Sequence, residues 1–199
     1  MQEHQITVEG QTFVLDQPFH VLATANPIEY EGTYPLPEAQ LDRFMMRTSF
    51  GYPSVDDEWD VLRRRMDRRR EDQTLRQVTD AATLLAMQEV VERVAVDESV
   101  GRYCVALATA TRSHAHVLMG SSPRGTLGLL LASRSWAVID GRDYVTPEDV
   151  KAVAVPVLAH RITVKPELWM SQVSGRSVVG EVLSSVAAPG ALESPPDHA

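Results

Sequence analysis

The chain has 199 residues, 44% of them hydrophobic and 23% charged, an ordinary globular balance with room for one domain or two small ones. A formal net charge of −8 argues against sequence-independent binding of nucleic acid by the chain as a whole. No stretch is apolar for long enough to span a bilayer, and the first residues lack the basic and apolar regions of a signal peptide, so no membrane insertion is expected and the cytoplasm is the expected compartment.

Residues 5 to 15 alternate as a hairpin that turns at Glu9-Gly10, with Ile6, Val8 and Phe13 on one side. A continuous apolar run from His20 to Ala25 follows, ended by Asn26-Pro27. A run apolar on both faces predicts a buried strand of a parallel sheet. Pro27 stops it and leaves the Asn26 amide at the strand end, where ligands of open parallel sheets sit. After a loop broken by Gly32, Pro35 and Pro37, residues 37 to 44 predict a short helix with Leu41 and Phe44 inward and Asp42 and Arg43 outward.

Gly51-Tyr52-Pro53 breaks the chain, and beyond it the periodicity is helical. Ser54 caps a helix whose Trp59, Leu62 and Met66 form an apolar stripe. Further helices are predicted over Asp80–Val94, Asp97–His114, Ser122–Ile139 (with Pro123 in its first turn and Gly141 beyond its end), 146–160 from a Thr146-Pro147 start, and 177–186. Cys104, the one cysteine, excludes an internal disulfide and reads as a small core residue. The tail from 187 to 199 is rich in Ala, Pro and acid, which predicts disorder.

The segment from Ala23-Thr24-Ala25-Asn26-Pro27 to Leu41-Asp42-Arg43-Phe44, together with Ser122-Pro123-Arg124-Gly125, closely resembles the MoxR family of AAA+ ATPases. The resemblance covers nearly the whole chain except its last dozen residues. It implies an α/β + α fold: the second half of a parallel-sheet AAA+ nucleotide-binding domain over 1–52, then a helical lid over 53–186. It also implies roles. Asn26 stands where the family has sensor 1, Arg43 where it has the arginine finger, and Arg124 where it has sensor 2. The ligands so implied are ATP and Mg2+, and the partners are further copies in a ring, expected to be a hexamer, with von Willebrand factor A domain proteins as associates. The hairpin corresponds to the family's pre-sensor 1 hairpin, or is an ordinary edge hairpin.

Chemistry supports each role and also offers a plainer alternative. A neutral amide such as Asn26 can hold an attacking water in line without adding repulsion, or can merely end a strand. A guanidinium such as Arg43 can pair with charge developing on a neighbour's γ-phosphate, or can bond Asp42, Glu38 or a carbonyl at its own helix end. Arg124 opens a helix, where amides and dipole favour an anion. Arg63-Arg64-Arg65 and Arg68-Arg69-Arg70 flank Met66 on solvated helix faces among acidic neighbours, so no nucleic acid is expected. Val94-Ala95-Val96-Asp97-Glu98 imitates a Walker B strand but follows Asn26 in the wrong order, and Asp97 reads as a helix cap. His114 and His116 lie two apart at a helix end, diverge if helical and have no evident third ligand, so no metal site is expected.

One departure from the family is large. The only lysines, Lys151 and Lys165, do not follow a glycine, so no Gly-x-x-x-x-Gly-Lys-[Ser/Thr] loop is present, and no Walker B pair precedes Asn26. The rival expectation is a non-enzymatic module that docks onto intact AAA+ subunits. The purified 199-residue chain is expected to show no ATP turnover in a phosphate-release assay. Turnover that Arg43→Ala abolishes would contradict this.

Overall fold

The computed structural model describes residues 5–25, 37–70 and 74–190. Asn26 and the 187–199 tail beyond residue 190 lie outside these residues. In order, the elements are β1 (Gln5–Val8), β2 (Gln11–Val14), α1 (Glu38–Leu41), α2 (Val55–Arg68), α3 (Ala81–Arg93), α4 (Glu98–Ser113), β3 (Val117–Met119), α5 (Pro123–Ile139), α6 (Pro147–Leu158), β4 (Thr163–Val164) and α7 (Gly175–Ser185), with 3-10 turns over Ala159–Arg161 and Pro166–Leu168.

The helices begin where side chains can satisfy the first amides. Ser54 accepts from Asp57 N, Asp80 from Thr83 N, Asp97 from Ser99 N and Ser122 from Arg124 N. Thr146 and Asp149 cap each other's backbone reciprocally at α6. Gly141, at φ +75°, takes the left-handed conformation that ends α5.

The core lies among α4, α5, α6 and α7. Leu107, Leu129, Val150, Val157, Leu158, Val178 and Val179 are fully buried there, and Cys104 sits with them at 2% exposure. Burial pushes the Cys104 thiol up to about 11, so it is an inert packing residue, as the sequence suggests. A Cβ on Gly128 would lie 3.0 Å from Val157 Cγ1, and this close approach sets the α5–α6 crossing. Between helices, β3 and β4 pair antiparallel, an element the helical periodicity does not reveal.

The segment before residue 70 is different. β1 and β2 form the expected hairpin, Ile6 opposite Phe13, around Glu9 and Gly10 at φ +51° and +80°. Its apolar face is uncovered: Ile6, Val8 and Phe13 are each about half exposed. Residues 20–25 form no strand and are exposed, which corrects the expectation of a buried strand. A parallel strand exists only between neighbours, and no described residue pairs with this one; Leu22 is 95% exposed. The α2 stripe likewise forms without burial, with Trp59, Leu62 and Met66 more than half exposed.

Asp149 ties the connection between α5 and α6. Its carboxylate, 3% exposed, accepts from Arg142 Nη1 at 2.7 Å and Nη2 at 2.5 Å. Burial alone would raise its pKa, but the hydrogen bonds from Arg142 and from the Thr146 amide and hydroxyl outweigh it and hold the carboxyl below the usual carboxylate range. A depressed folded value contributes stability that is present above the unfolded value of about 3.9 and is lost as pH falls through the folded one. Asp149→Asn is therefore expected to lower the Tm at pH 7, with the deficit shrinking toward zero below pH of about 3 in thermal melts. A deficit that does not change with pH would mean the charge is not what the site uses.

Candidate functional site

The turn after α1 is fastened to the lid by one carboxylate. Asp42 is the residue after α1, and contrary to the outward orientation expected from the Leu41/Phe44 pattern, its side chain points into the lid. Arg161, in the 3-10 turn that continues α6, donates from Nη1 to Asp42 Oδ1 at 2.6 Å and to the Asp42 carbonyl at 2.7 Å. Its Nη2 donates to the Phe44 carbonyl at 2.7 Å and its Nε to the Val157 carbonyl at 2.9 Å. The Arg161 side chain is 3% exposed and Asp42 19%. An arginine offers five N–H groups in a fixed fork, and four donor–acceptor contacts hold this one. The physical reason for the correction is this cation. A buried arginine needs an anion, and Asp42 is within reach while solvent is not.

The same carboxylate receives the start of α5. Ser122 Oγ donates to both Asp42 oxygens at 3.0 Å while accepting from the Arg124 amide at 3.2 Å, and Arg124 Nη1 donates to Asp42 Oδ2 at 3.3 Å. An internal anion thus stands at the N-terminus of α5, the position where a phosphate is favoured. Arg124 reaches past it with a side chain 42% exposed.

Further bonds seat the turn. The Arg47 amide donates to the Pro156 carbonyl at 2.9 Å, one of the carbonyls that the end of α6 leaves without a helical partner. His160 Nε2 donates to the Phe44 carbonyl at 3.1 Å, and burial lowers the His160 pKa despite that bond. Thr163 Oγ1 donates to Glu38 Oε1 at 2.8 Å.

Arg43 comes out of this turn exposed, with no side-chain hydrogen bond or ion pair among the described residues. The plainer alternatives for it, a bond to Asp42, Glu38 or a local carbonyl, are not formed. Arg47 lines a cleft of about 300 Å³ with Ser49, His160 and Arg176. Asn26 lies outside the described residues, so the structure gathers two of the three singled-out positions, Arg43 and Arg124, around Asp42. Sequence reasoning missed Arg161. Its only signal is a lone arginine at the end of an apolar helix, and its partner lies 119 residues earlier. The histidine pair is also closer than expected: α4 ends at Ser113, and a turn brings the His114 and His116 rings to 5.2 Å.

Comparison with known proteins agrees with this architecture. Residues 1–46 match the ATPase family associated with various cellular activities (AAA), and residues 109–182 match the AAA lid domain. Chaperone MoxR1 of Mycobacterium tuberculosis is 38% identical over 95% of this chain and 52% of its own length. The chain belongs to the MoxR family of AAA+ ATPases. Uncharacterized protein YeaC of Bacillus subtilis is 41% identical over 95% of this chain and 59% of its own length. A crystal structure of a "putative ATPase" from Cytophaga hutchinsonii superposes with a TM-score of 0.86 at 35% identity, covering 95% of this chain and 60% of that one. The chain thus spans between half and three-fifths of the length of these relatives, and its fold is that of the later AAA+ core and its lid.

Asp42→Ala leaves the Arg161 cation buried without its anion and is expected to cost about 3 kcal/mol in urea unfolding. Adding Arg161→Ala to Asp42→Ala is expected to cost at least about 1 kcal/mol less than Arg161→Ala alone. Additive costs would show that the two residues do not act as a pair.

Proposed function

We propose that this chain supplies the arginines and the lid of a cytoplasmic MoxR-type ATPase, which binds ATP with magnesium at subunit interfaces, hydrolyses it in a hexameric ring and remodels protein complexes as a chaperone does. Its associates in this reading carry von Willebrand factor A domains. The observation that carries the proposal is Arg43: an exposed cation on a turn that the lid holds through Asp42. A guanidinium presented this way is open to a phosphate from outside its own chain. It suits one held by a neighbouring copy, where it would pair with charge developing on the transferred γ-phosphoryl group.

Asn26, by its place in the motif, would orient the attacking water. Arg124 fits a phosphate, because it is half exposed, stands at the first turn of α5 and is held to Asp42 by a long 3.3 Å bond. Exchanging Asp42 for a phosphate would loosen the α5 start from the turn that carries Arg43, and nucleotide state would then move the lid. Magnesium, when bound, neutralises charge on the β- and γ-oxygens. Asp42 does not fit as its ligand, since two arginines and Ser122 already engage both its oxygens.

A second reading, the docking module, is favoured by the uncovered α2 stripe of Trp59, Leu62 and Met66. One experiment separates the two. The chain is mixed with a separately made N-terminal half that carries the Walker motifs, and ATP binding and turnover are measured. The ATPase reading expects both to appear. It expects Arg43→Ala to reduce turnover about a thousandfold while ATP binding changes little. Association without turnover would favour the docking module, and full turnover with Arg43→Ala would remove the finger role.

A further inference from the structure

Three side chains with metal-ligating atoms converge at the C-terminal end of α4. His114 is the first residue beyond that helix, His116 follows in the turn before β3, and Glu181 projects from α7. One ligand atom from each lies within 4.8 Å of the other two. His114 Nε2 and Glu181 Oε2 are 3.1 Å apart, close to the roughly 3.3 Å that separates two ligands on a tetrahedral zinc. The two rings meet edge to face, 64° between planes.

The backbone beneath these residues is built, not incidental. Val117 N donates to the His114 carbonyl at 3.1 Å and closes the turn, while Lys165 N donates to the His116 carbonyl at 3.0 Å through the β3–β4 pairing. Glu181 is fixed at its base by Val178, Val179 and Val182, all buried, while its carboxylate is half exposed and able to swing. Most telling is His116 Nδ1, which is buried and has no hydrogen-bond partner among the described residues. A buried ring nitrogen without a partner is costly, and a cation or a proton donor would satisfy it.

We propose that His114, His116 and Glu181 bind a zinc-class divalent cation, with water in the fourth position. Two imidazoles and one carboxylate form a borderline donor set that suits zinc over calcium or magnesium, which prefer all-oxygen shells. The His116 amide donates to His114 Nδ1 at 3.3 Å, so the neutral His114 ring carries its proton on Nε2, toward Glu181. Metal binding at Nε2 requires the ring proton to move to Nδ1, which breaks the long contact from the His116 amide. The ion would tie the end of α4 and the start of β3 to α7 by chemistry that the nucleotide does not share.

The test is isothermal titration of zinc into the EDTA-treated 199-residue chain, with thermal melts and cobalt(II) absorption alongside. One saturable zinc per chain is expected, with a rise in Tm and a cobalt spectrum of tetrahedral type. His116→Ala is expected to abolish binding and Glu181→Gln to weaken it about tenfold or more, while His20→Ala leaves it unchanged. Glu181→Gln changes only an exposed side-chain tip, so it decides the matter even if His116→Ala does not fold. No saturable binding, or binding that neither variant weakens, would leave a hydrogen-bonded His114–Glu181 pair only and overturn the proposal.

Discussion

A buried guanidinium cannot be left without acceptors, and Arg161 is the constraint around which this chain is assembled. Its nitrogens close the last turn of α6 at the Val157 carbonyl and gather the Asp42 carboxylate and the carbonyls of Asp42 and Phe44. That single group therefore caps a lid helix, orients the turn after α1 and joins residues 119 apart in sequence. The desolvation cost of the cation is offset only while Asp42 is present, so the contact acts as a requirement of the fold more than as an added increment of stability. Because Asp42 also receives Ser122 and Arg124, the start of α5 and the end of α6 meet at one carboxylate. Arg43 and Arg124 owe their relative placement to it.

What could be read from the sequence was whatever is decided locally. Ser54 and Asp97 cap the helices they were expected to cap, and Asp80, Ser122 and Thr146 cap helices expected to begin at them, because a cap involves residues two or three apart. Gly141 ends α5 and the Glu9-Gly10 turn forms for the same reason. Helix signals likewise placed the helices of the α4–α7 core, and Cys104 was read as one of its residues. The MoxR resemblance carried the fold and the positions of Arg43 and Arg124, since short motifs in fixed order survive where periodicity is uninformative.

Features with distant partners were not legible. The direction of Asp42 depends on Arg161, and the two-residue β4 on β3; neither has a local signature. The convergence of His114 and His116 on Glu181 spans 67 residues and three elements. Amphipathic patterning was misleading in one consistent way. The hairpin, residues 20–25 and the α2 stripe all show the expected apolar faces, yet Phe13, Leu22 and Trp59 remain exposed. Patterning shows that a face can be buried, whereas burial itself requires a second surface, and before residue 70 the described residues do not provide one.

The lid holds the Arg43 turn through Asp42, and hydrogen exchange at single amides tests this most directly. The Phe44 and Arg47 amides donate to the Leu41 and Pro156 carbonyls within that clasp. They should exchange slowly in the unaltered chain. In Asp42→Asn they should exchange much faster, while amides of α4 and α7 keep their protection. If Phe44 and Arg47 already exchange as fast as the exposed residues 20–25 in the unaltered chain, the turn is not fastened, and the lid does not position Arg43.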